Sequence, residues 1–218
     1  MNNKNALLWI GLAVVVVLIV AVGLYFASAG PSAPASPVAT GSLNIPVSVA
    51  DNSRGPASAK VVLVEYSDFQ CPACAAYYSV LEQVLKDFPN DIRLVYRHFP
   101  LPYHQQAMPA ALAAEAAGKQ GKFWEMYQLI FDHQTDWAGK KTAEATFTSY
   151  AEQLGLNLTQ FQVDLTDSAL IKKINSQKDG GVAAGVDATP TFYLNGKKID
   201  NPRSYDDFSQ LIKAELNR

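Results

Sequence analysis

The two cysteines of this chain, Cys71 and Cys74, are separated by two residues and lie where a strand is expected to lead into a helix. The preceding run, Val61 to Tyr66, is apolar except for one acid, which is typical of a central strand buried on both faces. The segment after the cysteines has helical spacing. A single Cys-x-x-Cys pair in this setting predicts a redox-active disulfide.

The helix predicted after Cys71 has one apolar face. Pro72 falls in its first turn, which accepts proline readily, and Pro89-Asn90 ends it. Cys71 precedes the helix, whose free N–H groups and dipole favour a thiolate. Cys74 lies about one turn further on, among the core positions. We therefore predict that Cys71 is the exposed nucleophile and Cys74 the shielded resolving thiol. The apolar face comprises Cys74, Tyr77, Tyr78, Leu81, Val84, Leu85 and Phe88.

The N-terminal apolar segment is a second strong constraint. No charged residue occurs from Ala6 to Phe26, a span about long enough for a helix to cross a bilayer. Lys4 precedes this span, and no Lys or Arg follows until Arg54. The positive-inside rule then places the N-terminus in the cytoplasm and the rest outside. Residues 1–27 are therefore predicted to be a single-pass anchor in the cell membrane, with the catalytic domain extracytoplasmic.

A cleaved signal peptide is the alternative, because Ala27-Ser28-Ala29 resembles a cleavage site. The product would then be secreted or periplasmic. The apolar run is longer than the roughly 7–15 residues of a signal h-region, which favours the anchor. Both interpretations leave the rest of the chain in an oxidising environment, where a cysteine pair can equally be a structural disulfide.

Residues 28–50 are expected to form a flexible linker. The stretch from residue 28 to about 48 is rich in Ala, Ser, Pro and Gly and carries no charge. It buries too little apolar surface to offset its ordering entropy, and its prolines favour an extended spacer. The folded domain is expected over residues 51–218.

This domain is predicted to be an α/β sheet interrupted by helices. Strand character returns at Thr191 to Leu194, and Asn195-Gly196 is a strong hairpin signal. Ser204 and Asp207, at capping-box spacing, begin a closing helix. A helical insertion is expected over about 103–180, and Gly180-Gly181 should weaken its last helix. Further predicted elements are a strand at 92–99, insertion helices at 110–117, 123–131, 142–154, 159–165 and 168–182, and a strand at 197–199.

Composition and spacing argue against several other classes. The formal net charge of −2 gives no basis for binding nucleic acid. No second ligand pair at metal spacing accompanies the cysteines, so no metal site is expected. Ala75 occupies the position where haem attachment requires histidine. His98 and His104 are interpreted as ordinary surface or helix-entry residues.

Five features occur together along the chain: Glu65, Cys71-Pro72-Ala73-Cys74, Tyr96 to Leu101, Gln120 to Trp124, and Gly185-Val186 leading to Thr189-Pro190-Thr191-Phe192. In combination they resemble the DsbA-like thiol:disulfide oxidoreductases of the thioredoxin superfamily (the thioredoxin-4, BdbD-like group), from about residue 51 to the C-terminus. The resemblance implies a thioredoxin fold with a helical insertion and a cis Pro190 facing the disulfide. It also implies that the Thr189 main chain pairs with an extended substrate segment, which Pro72 and Ala73 would border.

Glu65 is the only acid in the strand that is expected to be buried. An unpaired buried carboxylate is costly and usually has a raised pKa. Together with the resemblance, this suggests that Glu65 accepts a proton from Cys74 during exchange, through water. The alternative is a strand-end acid that reaches solvent.

The resemblance implies an oxidase that introduces disulfides into secreted or membrane proteins through Cys71 and Cys74. It would need no cofactor, because the cysteines carry the electrons, and a membrane or extracytoplasmic redox partner would reoxidise it. Strongly oxidising members carry a histidine before the second cysteine, where this chain has Ala73. The direction of electron flow therefore stays open. The alternatives are a membrane-tethered thioredoxin-like reductase or isomerase and, in another class, a binding domain with a purely structural disulfide.

Overall fold

A computed structural model describes residues 42–218. The predicted membrane anchor, residues 1–27, and most of the predicted linker lie outside these residues. Within residues 42–218, no helix has the length and apolar character needed to cross a bilayer.

The described residues form five strands and eight helices. The strands are β1 (Asn52–Arg54), β2 (Val61–Ser67), β3 (Ile92–His98), β4 (Thr191–Leu194) and β5 (Lys197–Ile199). The helices are α1 (Pro72–Asp87), α2 (Ala107–Lys119), α3 (Phe123–Asp132), α4 (Gln134–Trp137), α5 (Glu144–Gln153), α6 (Leu158–Asp164), α7 (Ser168–Ala183) and α8 (Tyr205–Leu216).

The strands form one sheet in the order β1-β3-β2-β4-β5. Strands β2 and β3 are parallel and are joined by α1, whereas the other pairs are antiparallel. Strand β2 is therefore central, and Glu65 pairs with Tyr96 on one side and Phe192 on the other. This arrangement, with helices inserted between β3 and β4, confirms the predicted thioredoxin fold with a helical insertion.

Helices cover both faces of the sheet. Because side chains alternate along a strand, Leu63 and Glu65 face one side while Val64 and Tyr66 face the other. On the Leu63 side the core includes residues of α1 and α8, such as Leu81 and Phe208. On the Val64 side the sheet packs against Ala184 and Val186, at the end of α7 and just beyond it. Both faces of β2 are buried, as its apolar sequence predicts.

The inserted helices have a core of their own, and this core extends to the cysteines. Helix α2 is rich in alanine, which allows close packing, and it lies against α3, α6 and α7. The same cluster of buried residues includes Trp137, Phe69, Cys71 and Cys74. The insertion is therefore continuous with the strand-to-helix turn that carries the cysteine pair.

Two short elements are not predicted from the sequence. Strand β1, Asn52–Arg54, is a three-residue edge strand without an apolar alternation. Helix α4, Gln134–Trp137, has four residues, too few to show a helical period. Both depend on partners distant in the chain, so local pattern carries little information about them.

The domain begins earlier than the predicted boundary at residue 51. The Arg97 guanidinium, on β3, donates to the carbonyl oxygens of Ile45 (2.8 Å) and Pro46 (3.0 Å) and to the carboxylate of Asp51 (2.9 and 3.0 Å). Leu43 and Val47 pack on the sheet core. Within the sheet only the Tyr66 hydroxyl accepts from this guanidinium, at 3.0 Å, and a buried arginine needs further acceptors. Residues 42–50, expected as linker, supply some of them and lie against the domain.

The glycine pair near the end of α7 marks close packing rather than helix weakness. The helix continues through Gly180 and Gly181 to Ala183. A Cβ added at Gly181 would lie 2.9 Å from ring carbons of Phe99 and Tyr66. The expectation that these glycines weaken the helix overlooks this packing, which offsets their low helix propensity.

We expect Gly181→Ala to lower the free energy of unfolding by about 1–3 kcal/mol, because the added methyl group overpacks two buried rings. Gly139→Ala is the matched control, since a Cβ there meets no atom within 4 Å. Its effect should stay below about 0.5 kcal/mol. Urea denaturation of the reduced protein measures both, and equal effects would contradict the packing argument.

Candidate active site

The cysteine pair lies where β2 leads into α1. Cys71 is the N-cap residue, with φ −72° and ψ 122°, and Pro72 occupies the first turn, as predicted. The Cys71 N–H donates to the Asp68 carbonyl oxygen at 3.0 Å, which closes the turn. Pro72 and Ala73 are both exposed. The thiol of Cys71 therefore lies beside the first free N–H groups of the helix.

Cys71 is less exposed than the sequence suggests. Only 8% of the residue is accessible, and Cys74 is fully buried. Both are free thiols in this structure. Cys71 is more accessible than Cys74, as predicted. It is nearly buried rather than exposed, however, because the inserted helices and the Thr189 segment pack around it.

Several donors converge on the sulfur of Cys71. A hydrogen bond from the Cys74 thiol is the largest influence, and it lowers the pKa of Cys71 to about 5 despite partial burial. The Thr189 side chain and the main-chain N–H groups of Cys74 and Ala73 also favour the thiolate. The Thr189 hydroxyl is buried and has no hydrogen-bond partner among residues 42–218. These donors stabilise negative charge on Cys71.

Cys74 has the opposite electrostatic environment. Burial is the main reason that its pKa lies well above the usual range, and the negative charges of Cys71 and Glu65 raise the pKa further. The pair is therefore asymmetric. One sulfur is stabilised as a thiolate and the other keeps its proton.

The Thr189–Pro190 peptide bond is cis. The Cys71 thiol donates to the Thr189 carbonyl oxygen across a distance of 3.4 Å. Pro190 is buried, and its carbonyl oxygen accepts a hydrogen bond from Asn201 Nδ2 at 2.7 Å. The structure thus brings Thr189 and Pro190, distant in sequence, to the cysteine pair.

Glu65 lies on the face of β2 that α1 covers, and it is fully buried. Neither carboxylate oxygen has a hydrogen-bond partner within the described part of the chain. Burial raises the pKa of Glu65 to about 7, against a smaller opposing effect of the Ser67 hydroxyl. The alternative of a strand-end acid that reaches solvent is therefore excluded.

Further polar atoms surround Glu65. The hydroxyl groups of Ser67, Tyr96 and Tyr127 are buried and lack partners among residues 42–218. The Glu65 charge is among the influences that raise the pKa values of both tyrosines. Buried polar groups of this kind usually bind ordered water. Water bound by these hydroxyl groups would give Glu65 a polar path for proton transfer.

Three other residues of the site carry no sequence signal of their own. The buried Asp68 carboxylate accepts from the N–H groups of Gln70 (2.7 Å) and Leu101 (2.8 Å), and His104 Nδ1 lies 2.8 Å from it. The side-chain amide of Gln134 donates to the carbonyl oxygens of Phe69 and Cys71. Such contacts depend on loops meeting in space, so no spacing rule reveals them.

His98 differs from its interpretation as a surface residue. It is 1% exposed, and its Nε2 lies 2.9 Å from Glu115 Oε1. Glu115 also accepts from Lys173 Nζ at 2.7 Å. Burial opposes the charge of Glu115, but His98 and Lys173 outweigh it and lower its pKa to about 2. His98 thus links the sheet to α2. In the described residues, no three His, Cys, Asp or Glu side chains cluster so as to bind a metal ion.

Comparison with known proteins agrees with the observed fold. The family model described as Thioredoxin (Thioredoxin_4) matches residues 48–214. Oxidised BdbD from Bacillus subtilis superimposes with a TM-score of 0.71 at 24% identity, over 84% of this chain and 100% of BdbD. Alpha-DsbA1 from Wolbachia pipientis gives 0.72 at 18% identity, over 80% and 96%. At these identities the likeness to both structures concerns the fold.

Curated relatives share one segment with this chain. A Na⁺/H⁺ antiporter NhaA 1 of Salinispora arenicola is 43% identical over 149 residues, which cover 68% of this chain and 22% of the antiporter. The chain spans about a quarter of the length of such relatives. The family model, by contrast, spans most of the domain, and the chain therefore belongs to the thioredoxin family (Thioredoxin_4), as its resemblance to the DsbA-like oxidoreductases predicts.

Proposed function

We propose that this protein catalyses thiol:disulfide exchange in protein substrates through Cys71 and Cys74, mainly as an oxidase. The observation that carries the proposal is the asymmetry of the pair. The pKa of Cys71 is lowered to about 5, whereas that of Cys74 lies well above its usual range. Exchange requires one sulfur that is stable as a thiolate and a second that completes the reaction.

The proposed cycle begins with the disulfide form. A substrate thiolate attacks Cys71 Sγ, the Cys71–Cys74 bond breaks, and Cys74 leaves with the electron pair and takes up a proton. A second substrate thiolate then attacks the substrate sulfur of the mixed disulfide. Cys71 leaves as the stabilised thiolate, so the substrate is oxidised and the enzyme reduced by two electrons. A redox partner reverses this change in the enzyme, and no cofactor is needed.

Glu65 is proposed to exchange the proton of Cys74. Its pKa of about 7 means that near neutral pH it can either donate or accept a proton. The negative charge of Glu65 raises the pKa of Cys74, which supports a close electrostatic interaction between the two groups. In oxidation of substrate, Glu65 protonates the departing Cys74. In reoxidation of the enzyme, it removes that proton.

The substrate is proposed to bind along the Thr189–Pro190 segment, with Pro72 and Ala73 at its border. Pro72 and Ala73 are exposed beside Cys71, and the Thr189 carbonyl oxygen lies 3.4 Å from Cys71 Sγ. An extended peptide whose main chain pairs with Thr189 would place its own sulfur next to Cys71.

A reductase or isomerase is the second candidate, and Ala73 favours it. This residue carries no charge that would stabilise the thiolate further, in contrast to the histidine of strongly oxidising relatives. A weaker oxidant, with a potential between about −270 mV (thioredoxin) and −120 mV (DsbA), is expected.

The domain is proposed to work outside the cytoplasm, anchored in the cell membrane by residues 1–27. The uncharged span from Ala6 to Phe26 supports this. The matching segments in proteins named as Na⁺/H⁺ antiporters also favour a place at a membrane. Its substrates would be secreted or membrane proteins with cysteines, and its reoxidising partner would be a membrane or extracytoplasmic redox protein.

The exchange reaction can be tested with Cys74→Ala, in which the Cys71 thiolate can attack a substrate disulfide and expel one substrate thiolate, but no internal thiol remains to resolve the mixed disulfide. We expect this variant to trap secreted substrate proteins covalently, and Cys71→Ala to trap none. Equilibration of the wild-type protein with glutathione should give a potential above about −270 mV. A value at or below that of thioredoxin would reject the oxidase in favour of the reductase.

A structural disulfide predicts the opposite redox dependence of stability. The folded pKa of Cys71, about 5, lies below its unfolded value of about 8.5. The thiolate therefore stabilises the reduced form increasingly as pH rises from 5 towards 8.5, and this increment is lost as pH falls through 5. At pH 7 the reduced protein should melt at a higher temperature than the oxidised protein. Greater stability of the oxidised form at every pH would contradict the oxidase and would fit either a structural disulfide or a reductase.

Glu65→Gln tests the buried carboxyl group. Because its folded pKa of about 7 exceeds the unfolded value, ionisation destabilises the wild type as pH rises from 4.5 through 7. The variant should match the wild type at pH 4 and be about 3 kcal/mol more stable at pH 8. Its exchange rate should fall on the order of 100-fold. Glu152→Gln, at an exposed site, is the control and should change neither quantity.

A further inference from the structure

Three glutamines join the inserted helices to the turn that carries Cys71. They are Gln70 in the turn itself, Gln106 before α2 and Gln134 at the start of α4, and we call them the glutamine clamp. Gln106 and Gln134 are 5% and 8% exposed. Burying an amide lowers the stability of the fold unless the amide is hydrogen-bonded, so the partners of these glutamines show what they hold together.

Gln134 makes the direct contact with the cysteine. Its Nε2 donates to the carbonyl oxygen of Phe69 at 2.7 Å and to that of Cys71 at 2.9 Å. Both partners are acceptors, so both hydrogens of one amide group are used. No other side chain within residues 42–218 donates to the Cys71 carbonyl oxygen.

The other two glutamines link the same turn to further parts of the insertion. Gln70 Nε2 donates to the Ala138 carbonyl oxygen at 2.7 Å, and Gln70 Oε1 accepts from the Gln106 N–H at 2.6 Å. The Gln106 side chain in turn bonds the Lys141 carbonyl oxygen and the Ala143 N–H, at 2.8 and 3.0 Å. The clamp therefore ties the turn to the segment that follows α3.

Gln134 is itself held firmly. The main-chain carbonyl oxygen of Gln134 accepts the N–H of Ala138, the C-cap residue of α4, at 2.9 Å. Trp137, which is fully buried, donates from Nε1 to the Ile130 carbonyl oxygen at 2.9 Å. The amide thus projects from a corner that is anchored in the core of the insertion.

The position of the Cys71 main chain controls the environment of its sulfur. The carbonyl oxygen that Gln134 binds also accepts the Ala75 N–H at 3.2 Å, the first hydrogen bond of α1. The favourable effect of a helix N-terminus is confined to the first turn. A small displacement of Cys71 would therefore separate its sulfur from the N–H groups and from the Cys74 thiol.

We propose that Gln134 is a positioning residue for the exchange reaction, through which the helical insertion sets how strongly the Cys71 thiolate is stabilised. The inference rests on the proposed function and deepens it. The insertion is then part of the redox site. The junction of α3 and α4, which carries Gln134, determines how strongly the Cys71–Cys74 pair oxidises, since the Cys-Pro-Ala-Cys motif has no charged residue of its own.

The test uses the full-length chain and two variants of equal shape. Gln134→Met keeps the length of the side chain but removes both donors to the turn. Gln106→Met removes equally buried amide bonds that do not reach Cys71. Each is characterised by the pKa of Cys71, from thiolate absorbance at 240 nm against pH, by its glutathione equilibrium constant, and by urea denaturation.

We expect both variants to lose stability, but only Gln134→Met to raise the pKa of Cys71, by about one unit. Its equilibrium constant should shift about tenfold towards a weaker oxidant, about 30 mV. If Gln134→Met does not fold, Gln134→Asn, which withdraws the amide by one methylene, should show the same shift. An unchanged pKa and potential in the folded Gln134 variant would overturn the proposal, as would an equal shift in Gln106→Met. Failure of the wild type to exchange disulfides would instead reject the proposed function.

Discussion

Stabilisation of negative charge on Cys71 is the interaction on which the rest of the site depends. The sulfur lies at the N-terminus of α1 and receives a hydrogen bond from the Cys74 thiol, and the Thr189 side chain also favours its thiolate form. Each of these neighbours is held by a different part of the fold. The central strand positions the turn, the buried face of α1 holds Cys74, and the start of β4 holds Thr189 and Pro190.

The buried carboxyl group of Glu65 complements this arrangement. Burial is the main cause that raises the pKa of both Glu65 and Cys74, and the negative charge of Cys71 raises both further. The unpartnered hydroxyl groups of Ser67, Tyr96 and Tyr127 make the region polar without adding charge. Burial thus favours the protonated forms of Glu65 and Cys74 next to a Cys71 sulfur that favours the thiolate.

The helical insertion has a closer relation to the cysteines than its place in the chain suggests. Its core includes Cys71 and Cys74, and Gln134 bonds the main chain of the turn. The pattern of apolar residues predicts most of the helices in the insertion, but it does not predict which of their surfaces meet the active site. Polar contacts such as those of Gln134 leave no periodic signal, and a four-residue helix such as α4 has no period to detect.

The sequence by itself determined the long elements and the chemical identity of the site. Apolar runs and helical spacing predict β2, α1, β3 and the closing helix, because burial of apolar side chains dominates their formation, and the Cys-Pro-Ala-Cys motif predicts the redox pair. Only the tertiary structure decided that Cys71 is nearly covered, that residues 42–50 pack on Arg97, and that the Gln134 amide donates to the carbonyl oxygens of Phe69 and Cys71. These contacts join residues far apart in the chain, and their hydrogen bonds and charges depend on distances that exist only after the sheet and the insertion have packed together.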